Sequence, residues 1–324
     1  MIAINDFKQF ASIDHHGLVM AIGNFDGVHL GHRQLLASTI EKASQFNARS
    51  MVLTFEPHPA RYFKPNHAPK MLISQQHKAA LIREMGLEIL FTIQFNQQFA
   101  ELTPETFVKE ILHKRIRPKA VLVGFNFSFG RHGLGNTKIL HELGEYFGFE
   151  VEVIPPVYHQ GLLVSSSLIR DALTDGNVEL ARQLLSYWPV LEGTVVRGYG
   201  RGKTIGFPTA NLKIDDEILI PAPGVYAASA EVENETYKSV INIGCCPTFT
   251  NPNPTLEAHL LNFDGDLYGN NIKLNLLKRL RAEEKFYSIE ELKNQILKDI
   301  AEAELACSRE YPVYLLAPDN FQLS

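Results

Sequence analysis

Cysteine is scarce in this chain. Two of its three cysteines are adjacent (Cys245, Cys246) and the third is distant (Cys307). That pattern gives no disulfide framework and no C-x-x-C metal pair. Charge of one sign is also lacking: the formal net charge is −5, which argues against a protein built to coat nucleic acid. No apolar run approaches the roughly 20 residues needed to span a bilayer. The opening M-I-A-I-N-D-F-K-Q-F has no basic region followed by an apolar core, so no signal peptide is expected, and the cytoplasm is the expected compartment. What is there is ordinary globular sequence, 45% hydrophobic and 21% charged over 324 residues, long enough for two domains with sizeable cores.

The first half alternates strands and helices. Strand-like runs are expected at Leu18–Ile22, Ser50–Phe55, Glu88–Ile93, Lys119–Val123 and Val151–Ile154. Helical patterns fall between them: from near Gly31, over 75–85, from Thr103-Pro104-Glu105 with Thr103 as cap, and over 138–147. The alternation predicts a parallel sheet covered on both faces, a Rossmann-like α/β domain whose ligands lie beyond the carboxyl ends of the strands.

Ala21–His32, A-I-G-N-F-D-G-V-H-L-G-H, is where such a strand becomes a helix. Gly23 and Gly27 give the turn conformational freedom, and His29 and His32 sit at the helix mouth. Free backbone N–H groups and the helix dipole bind anions there; two imidazoles add donors without permanent charge, and a triphosphate is the natural ligand. Taken alone, an H-x-x-H is more often a metal pair or two surface residues. Two later segments are equally modest alone. Gly124–Gly130 (G-F-N-F-S-F-G) reads as an aromatic-packed turn carrying Asn126. Val164–Arg170 (V-S-S-S-L-I-R) reads as a serine-capped helix with Arg170 one turn in, where a guanidinium can grip phosphate oxygens.

Together, G-x-F-D-G-V-H-x-G-H, G-x-N-F-x-F-G and the serine segment resemble the nucleotidyltransferase motifs of the bacterial bifunctional riboflavin kinase/FAD synthetases, with Ser167 where Thr is usual. The resemblance implies nucleotide or substrate binding by Gly23, Phe25, Asp26, Gly31, Asn126, Ser165 and Ser166, and catalytic roles for His29, His32 and Arg170.

Past a short helix at Val178–Leu185, Ser186-Tyr187-Trp188-Pro189 breaks the helical pattern, which places a boundary near 186–190 and domains at 1–186 and 187–324. Short strands follow at Glu192–Val196, Gly224–Glu231, Tyr237–Ile243, Thr255–Asn262 and Asn271–Leu277, spaced as in an antiparallel barrel. Ser288 and Glu291 open a terminal helix whose Ile289, Leu292, Ile296 and Ile300 share a face, expected to pack on the barrel. Gly198–Thr204 (G-Y-G-R-G-K-T) is one residue short of a P-loop and leads into Ile205-Gly206-Phe207-Pro208 rather than a helix; it reads as a basic, phosphate-covering loop. In Gly206–Asn211 (G-F-P-T-A-N), Thr209 and Asn211 share a face if extended and offer hard oxygens suited to Mg²⁺. Glu257 and His259 likewise share a face, and Asp264-Gly265 reads as a hairpin turn.

In order, the glycine-rich loop, P-T-A-N, Asn242–Phe249 (N-I-G-C-C-P-T-F), E-x-H, D-L-Y-G and Arg281–Phe286 resemble the riboflavin kinase module. Arg197 stands where His is frequent and Cys246 where Arg is frequent. The resemblance implies Glu257 as base on a ribityl hydroxyl, Thr209 and Asn211 as Mg²⁺ ligands, and Gly198, Gly202, Lys203 and Arg281 as nucleotide- or substrate-binding residues. The implied chemistry is riboflavin plus ATP to FMN, then FMN plus ATP to FAD and pyrophosphate. The second step has an ionised phosphate as nucleophile and needs electrostatic stabilisation rather than a base. The expected partners are these small molecules, with no nucleic acid and no membrane; a transient homo-oligomer is left open. The rival readings are a non-catalytic flavin-binding protein and a chain with one active module.

Overall fold

The computed structural model describes residues 1–13, 17–63, 67–198, 201–233, 235–244 and 255–308. By contacts the chain divides into two compact units, 1–70 with 75–164 and 71–74 with 165–324.

In the first unit an all-parallel sheet runs in the order Ile2–Ile4, Ile89–Gln94, Arg49–Glu56, Leu18–Ile22, Ala120–Gly124, Glu150–Ile154. Leu18–Ile22 lies at its centre with every residue at most 1% exposed, as expected of a strand covered on both faces. The edge strand Ile2–Ile4 and the short helix Phe7–Ala11 carry too few residues to show a period, and the sequence reading missed both. The helix opened by Thr103 and Pro104 continues from Phe107 to Ile116 with wide π-type turns, ending on Arg117 in the left-handed region.

The second unit is a closed antiparallel barrel in the order Val190–Val196, Ala210–Ile214, Thr255–Leu260, Glu235–Gly244, Gly224–Val232, Asn271–Arg281. Closure removes sheet edges. Thr255–Leu260 and Asn271–Arg281 are not neighbours in that order, so Asp264-Gly265 lies in a connection across the barrel and not in a hairpin turn. The helices Ser166–Thr174 and Val178–Leu185 belong by contacts to this unit: the Ala222 N–H donates to the Leu173 carbonyl at 3.0 Å and Arg279 Nη1 to the Asp175 carbonyl at 3.3 Å. The contact division at 164/165 falls before the 186/187 boundary expected from the break in the helical pattern. Those two helices continue the α pattern in sequence while burying their apolar faces in the barrel unit.

Helix Ile289–Ser308 packs on Gly224–Val232, Glu235–Gly244 and Asn271–Arg281. Ser288 Oγ accepts from the Glu291 N–H at 3.1 Å, and Glu291 returns to the Tyr287 N–H at 3.0 Å. The expected face packs on the barrel in part: Leu292, Ile296 and Ile300 are half-buried and Asp299, Ala303 and Ala306 continue it as buried residues, whereas Ile289 is 64% exposed. Alanine lets the helix approach closely, and Asp299 is drawn in by Arg281.

Candidate functional sites

In the parallel sheet the strand order reverses between Leu18–Ile22 and Ala120–Gly124. A crevice opens at such a point beyond the carboxyl ends, and both flanking strands lead into the segments singled out from sequence. Gly23 to Val28 form a tight turn in which Phe25, Gly27 and Val28 have φ of 52°, 79° and 38°. Two of these are bulky residues, so the turn is strained. An added Cβ on Gly23 would lie 3.2 Å from the Phe25 ring; the bare glycine is what lets that ring fold beneath it. Phe25 is fully buried and meets His32 edge-on at 5.3 Å, while His32 stacks on His29 at 3.6 Å between ring centres.

His29 caps the helix Leu30–Gln45, its Nδ1 accepting from the His32 N–H at 3.3 Å. With Nδ1 accepting, Nε2 is the ring nitrogen of His29 that can donate. Gly31 leaves room for that ring: a Cβ there would stand 3.3 Å from His29 Cε1. Burial, then the neighbouring His29 and Lys78, hold His32 well below the usual imidazole pKa, so it is neutral at physiological pH. Its Nδ1 is buried with no hydrogen-bond partner. Two stacked imidazoles and a helix mouth form a donor array for an anion.

Asn126 is exposed just beyond Ala120–Gly124. Of its aromatic neighbours, Phe127 and Phe129 stack at 5.5 Å and join the core, whereas Phe125 is 42% exposed. Asp26 is buried at 2% exposure. Sequence reasoning missed Lys78, also 2% exposed, whose Nζ donates to the Asn24 carbonyl at 3.0 Å. The signal was present: Lys78 lies three and four residues before Leu81 and Ile82, on the buried face of its helix. Ser165 caps Ser166–Thr174 through the Leu168 N–H at 3.2 Å; it lies with Ser166 and Arg170 in the second unit.

On the barrel, Glu257 stands directly across from Asn211 on one side and Asn242 on the other. Cross-strand partners share a face, so two carboxamides flank one carboxylate. Thr209 Oγ1 donates to Glu257 Oε2 at 3.2 Å. The glycine-rich loop closes on this group: a Cβ on Gly198 would lie 2.2 Å from Asn211 Nδ2, and one on Gly202 2.3 Å from the Phe207 carbonyl and 3.2 Å from Thr209 Oγ1. The loop does contain one helical turn, Arg201–Thr204, ended by Gly206 with φ of 93°; a single turn is not the helix of a P-loop. His259 Nδ1 bonds the Pro208 carbonyl at 2.7 Å and its ring meets Phe207, which ties the P-T-A-N segment to the Glu257 strand. The backbone of Lys203 is described but its side chain is not, and Cys245–Phe249 lie outside the described residues. Arg281, expected to bind substrate, pairs through Nε and Nη2 with Asp299 at 3.0 and 2.8 Å, and its Nη1 donates to the Ala282 carbonyl.

Among the described residues no group of three or more His, Cys, Asp or Glu could hold a metal ion. The oxygens of Thr209, Asn211 and Glu257 nevertheless suit a hard cation that keeps waters and phosphates as its other ligands. No helix among the described residues is long and apolar enough to cross a membrane.

Comparison with known proteins matches residues 11–168 to the FAD synthetase family and residues 185–307 to the riboflavin kinase family. A bifunctional riboflavin kinase/FMN adenylyltransferase of Bacillus subtilis is 39% identical over 88% of this chain and 91% of its own length. Its counterpart in Escherichia coli K12 is 37% identical over 92% and 96%. A crystal structure from Streptococcus pneumoniae, described as a macrolide-efflux protein, superposes with a TM-score of 0.84 at 30% identity, covering 95% of this chain and 99% of that one.

Proposed function

The chain belongs to the family of bifunctional riboflavin kinase/FMN adenylyltransferases, and from that membership we propose how its residues divide the two steps. Riboflavin is phosphorylated by ATP to FMN, and FMN is adenylylated by a second ATP to FAD with release of pyrophosphate. The observation that carries this reading is the pair of family matches, one on each half, each falling on a cluster built from its own motifs.

For the kinase step, Glu257 takes the proton of the ribityl hydroxyl as it attacks the γ-phosphorus of ATP, and ADP departs. The Thr209 hydroxyl donates its hydrogen bond to Glu257, which leaves the hydroxyl oxygen's lone pairs free for a cation, with the Asn211 amide oxygen as the second ligand. These two oxygens would hold Mg²⁺, which when bound neutralises phosphate charge. Gly198 and Gly202 bring loop backbone onto Asn211 and Thr209, supporting their place over the ATP phosphates.

For the adenylyl step, the FMN phosphate attacks the α-phosphorus and pyrophosphate leaves. His29 and His32 stabilise the charge that develops, as ring N–H donors beside the free N–H groups of the helix start. Asn126 supports this role from the far side of the crevice. Arg170, Ser165 and Ser166 keep, as a proposal, the phosphate-binding roles the resemblance implies, with the functional boundary at 186/187. The cytoplasm remains the proposed compartment.

The test is chromatography of products after incubation with ATP and Mg²⁺, starting from riboflavin and separately from FMN. Recovery of FMN and FAD from riboflavin, and of FAD from FMN, is expected; absence of both products overturns the reading.

A further inference from the structure

The strained turn before the histidine pair is held at one atom. The Asn24 carbonyl accepts from Thr54 Oγ1 at 3.3 Å and from Lys78 Nζ at 3.0 Å, and both side chains are buried, at 1% and 2% exposure. Burying an ammonium is costly unless it is paired and hydrogen-bonded. Here the carboxylates of Asp26 and Glu56 supply the favourable field against that burial. Asp26 is part of the turn, and Glu56 ends the strand Arg49–Glu56 that also carries Thr54. The consequence passes along a contact chain. The turn sets Phe25, Phe25 sets the edge of His32, and His32 stacks on His29.

We propose that Lys78 is a positioning residue for adenylyl transfer. Its buried ammonium pins the Asn24 carbonyl and, beside Asp26, holds the strained turn that keeps the two imidazoles stacked at the helix mouth. Lys78 touches no substrate. This rests on the roles given above to His29 and His32, and it adds a residue from the helix Gln75–Glu84 that none of the motifs contains.

The test uses the full-length protein carrying Lys78→Met, which keeps the alkyl stem and removes the charge. FMN-to-FAD turnover is expected to fall about 10²-fold, the scale at which small misplacement of reacting groups costs rate. The loss should fall on kcat more than on KM for ATP, with riboflavin phosphorylation within twofold of native as an internal control. A second reading separates positioning from mere stability. After burial and His29, Lys78 also holds the His32 pKa down, so loss of Lys78 should move the His32 imidazole titration upward in the ¹H–¹³C spectrum. Thr54→Val, which removes the neutral anchor, should cost turnover but leave that titration in place.

Native-like turnover in Lys78→Met, or a loss that falls equally on riboflavin phosphorylation, overturns the proposal. If Lys78→Met does not fold, shown by a lost unfolding transition, Lys78→Gln takes its place with the same two readings. Failure of the underlying reading looks different: the native protein would then form no FAD from FMN at all.

Discussion

Thr209 and Glu257 are joined by a hydrogen bond of 3.2 Å from hydroxyl to carboxylate, across a register that also sets Asn211 opposite Glu257. The proposed general base and a proposed metal ligand are thus joined by one hydrogen bond. Glu257→Gln should lower riboflavin phosphorylation by about 10²–10⁴-fold and leave FAD formation from supplied FMN intact. Thr209→Val should instead raise the Mg²⁺ concentration needed for half-maximal kinase rate. Separate assays of the two steps check both, and equal losses in both activities would refute the assignment.

The glycine loop makes a sharper prediction because it concerns space. A Cβ at Gly198 would sit 2.2 Å from Asn211, and one at Gly202 2.3 Å from a backbone carbonyl. Gly198→Ala can be relieved only by moving the Asn211 amide, and Gly202→Ala only by moving backbone. Gly202→Ala should therefore cost the barrel about 1–3 kcal/mol of overpacking, with kinase activity lost in both variants. Thermal unfolding and kinase assays measure the two effects.

Removal of one histidine donor, His29→Ala or His32→Ala, should cut FAD formation by about 10²–10³-fold while FMN accumulates from riboflavin. His29→Ala should do further damage at the helix, since it removes the cap on Leu30–Gln45, worth about 1 kcal/mol. Product analysis with melting curves separates the two contributions.

Stability should also depend on pH through His32. Its folded pKa lies below the ordinary 6.5 because burial disfavours the charged ring. Below about pH 6.5 the unfolded chain takes up a proton that the folded one refuses, so stability is lost as pH falls and is fully present above that value. His32→Gln should flatten this part of the profile in melts between roughly pH 7.5 and 5.5; an unchanged slope would contradict it.

Arg281 should behave as a strut. Its guanidinium pairs with Asp299 of the terminal helix, and the two side chains are only 16% and 6% exposed. Breaking a buried pair from one side leaves a charge uncompensated. Asp299→Asn should therefore destabilise the barrel unit by about 3 kcal/mol, measured by denaturant unfolding. Any loss of kinase activity should track unfolding and leave KM for riboflavin unchanged.

Sequence alone determined the two architectures, because each has a local period. The alternation in the first half gave the central strand Leu18–Ile22 and the helix that follows, and the short β runs with their turn residues gave the barrel. It also supplied the chemical types, two imidazoles, a hydroxyl, a carboxamide and a carboxylate, since motif strings are contiguous. What it could not supply were relationships between segments distant along the chain, which depend on how strands order and where helices dock. The barrel order made Asp264-Gly265 a crossing rather than a hairpin. Asp299 claimed Arg281, and the helices Ser166–Thr174 and Val178–Leu185 packed with the barrel despite continuing the α pattern. Lys78 shares the buried face of its helix with Leu81 and Ile82, but the helical period alone does not say which turn its ammonium meets. Only burial among Asp26, Glu56 and the Asn24 carbonyl gives that charge its meaning, and burial is a property of the folded chain.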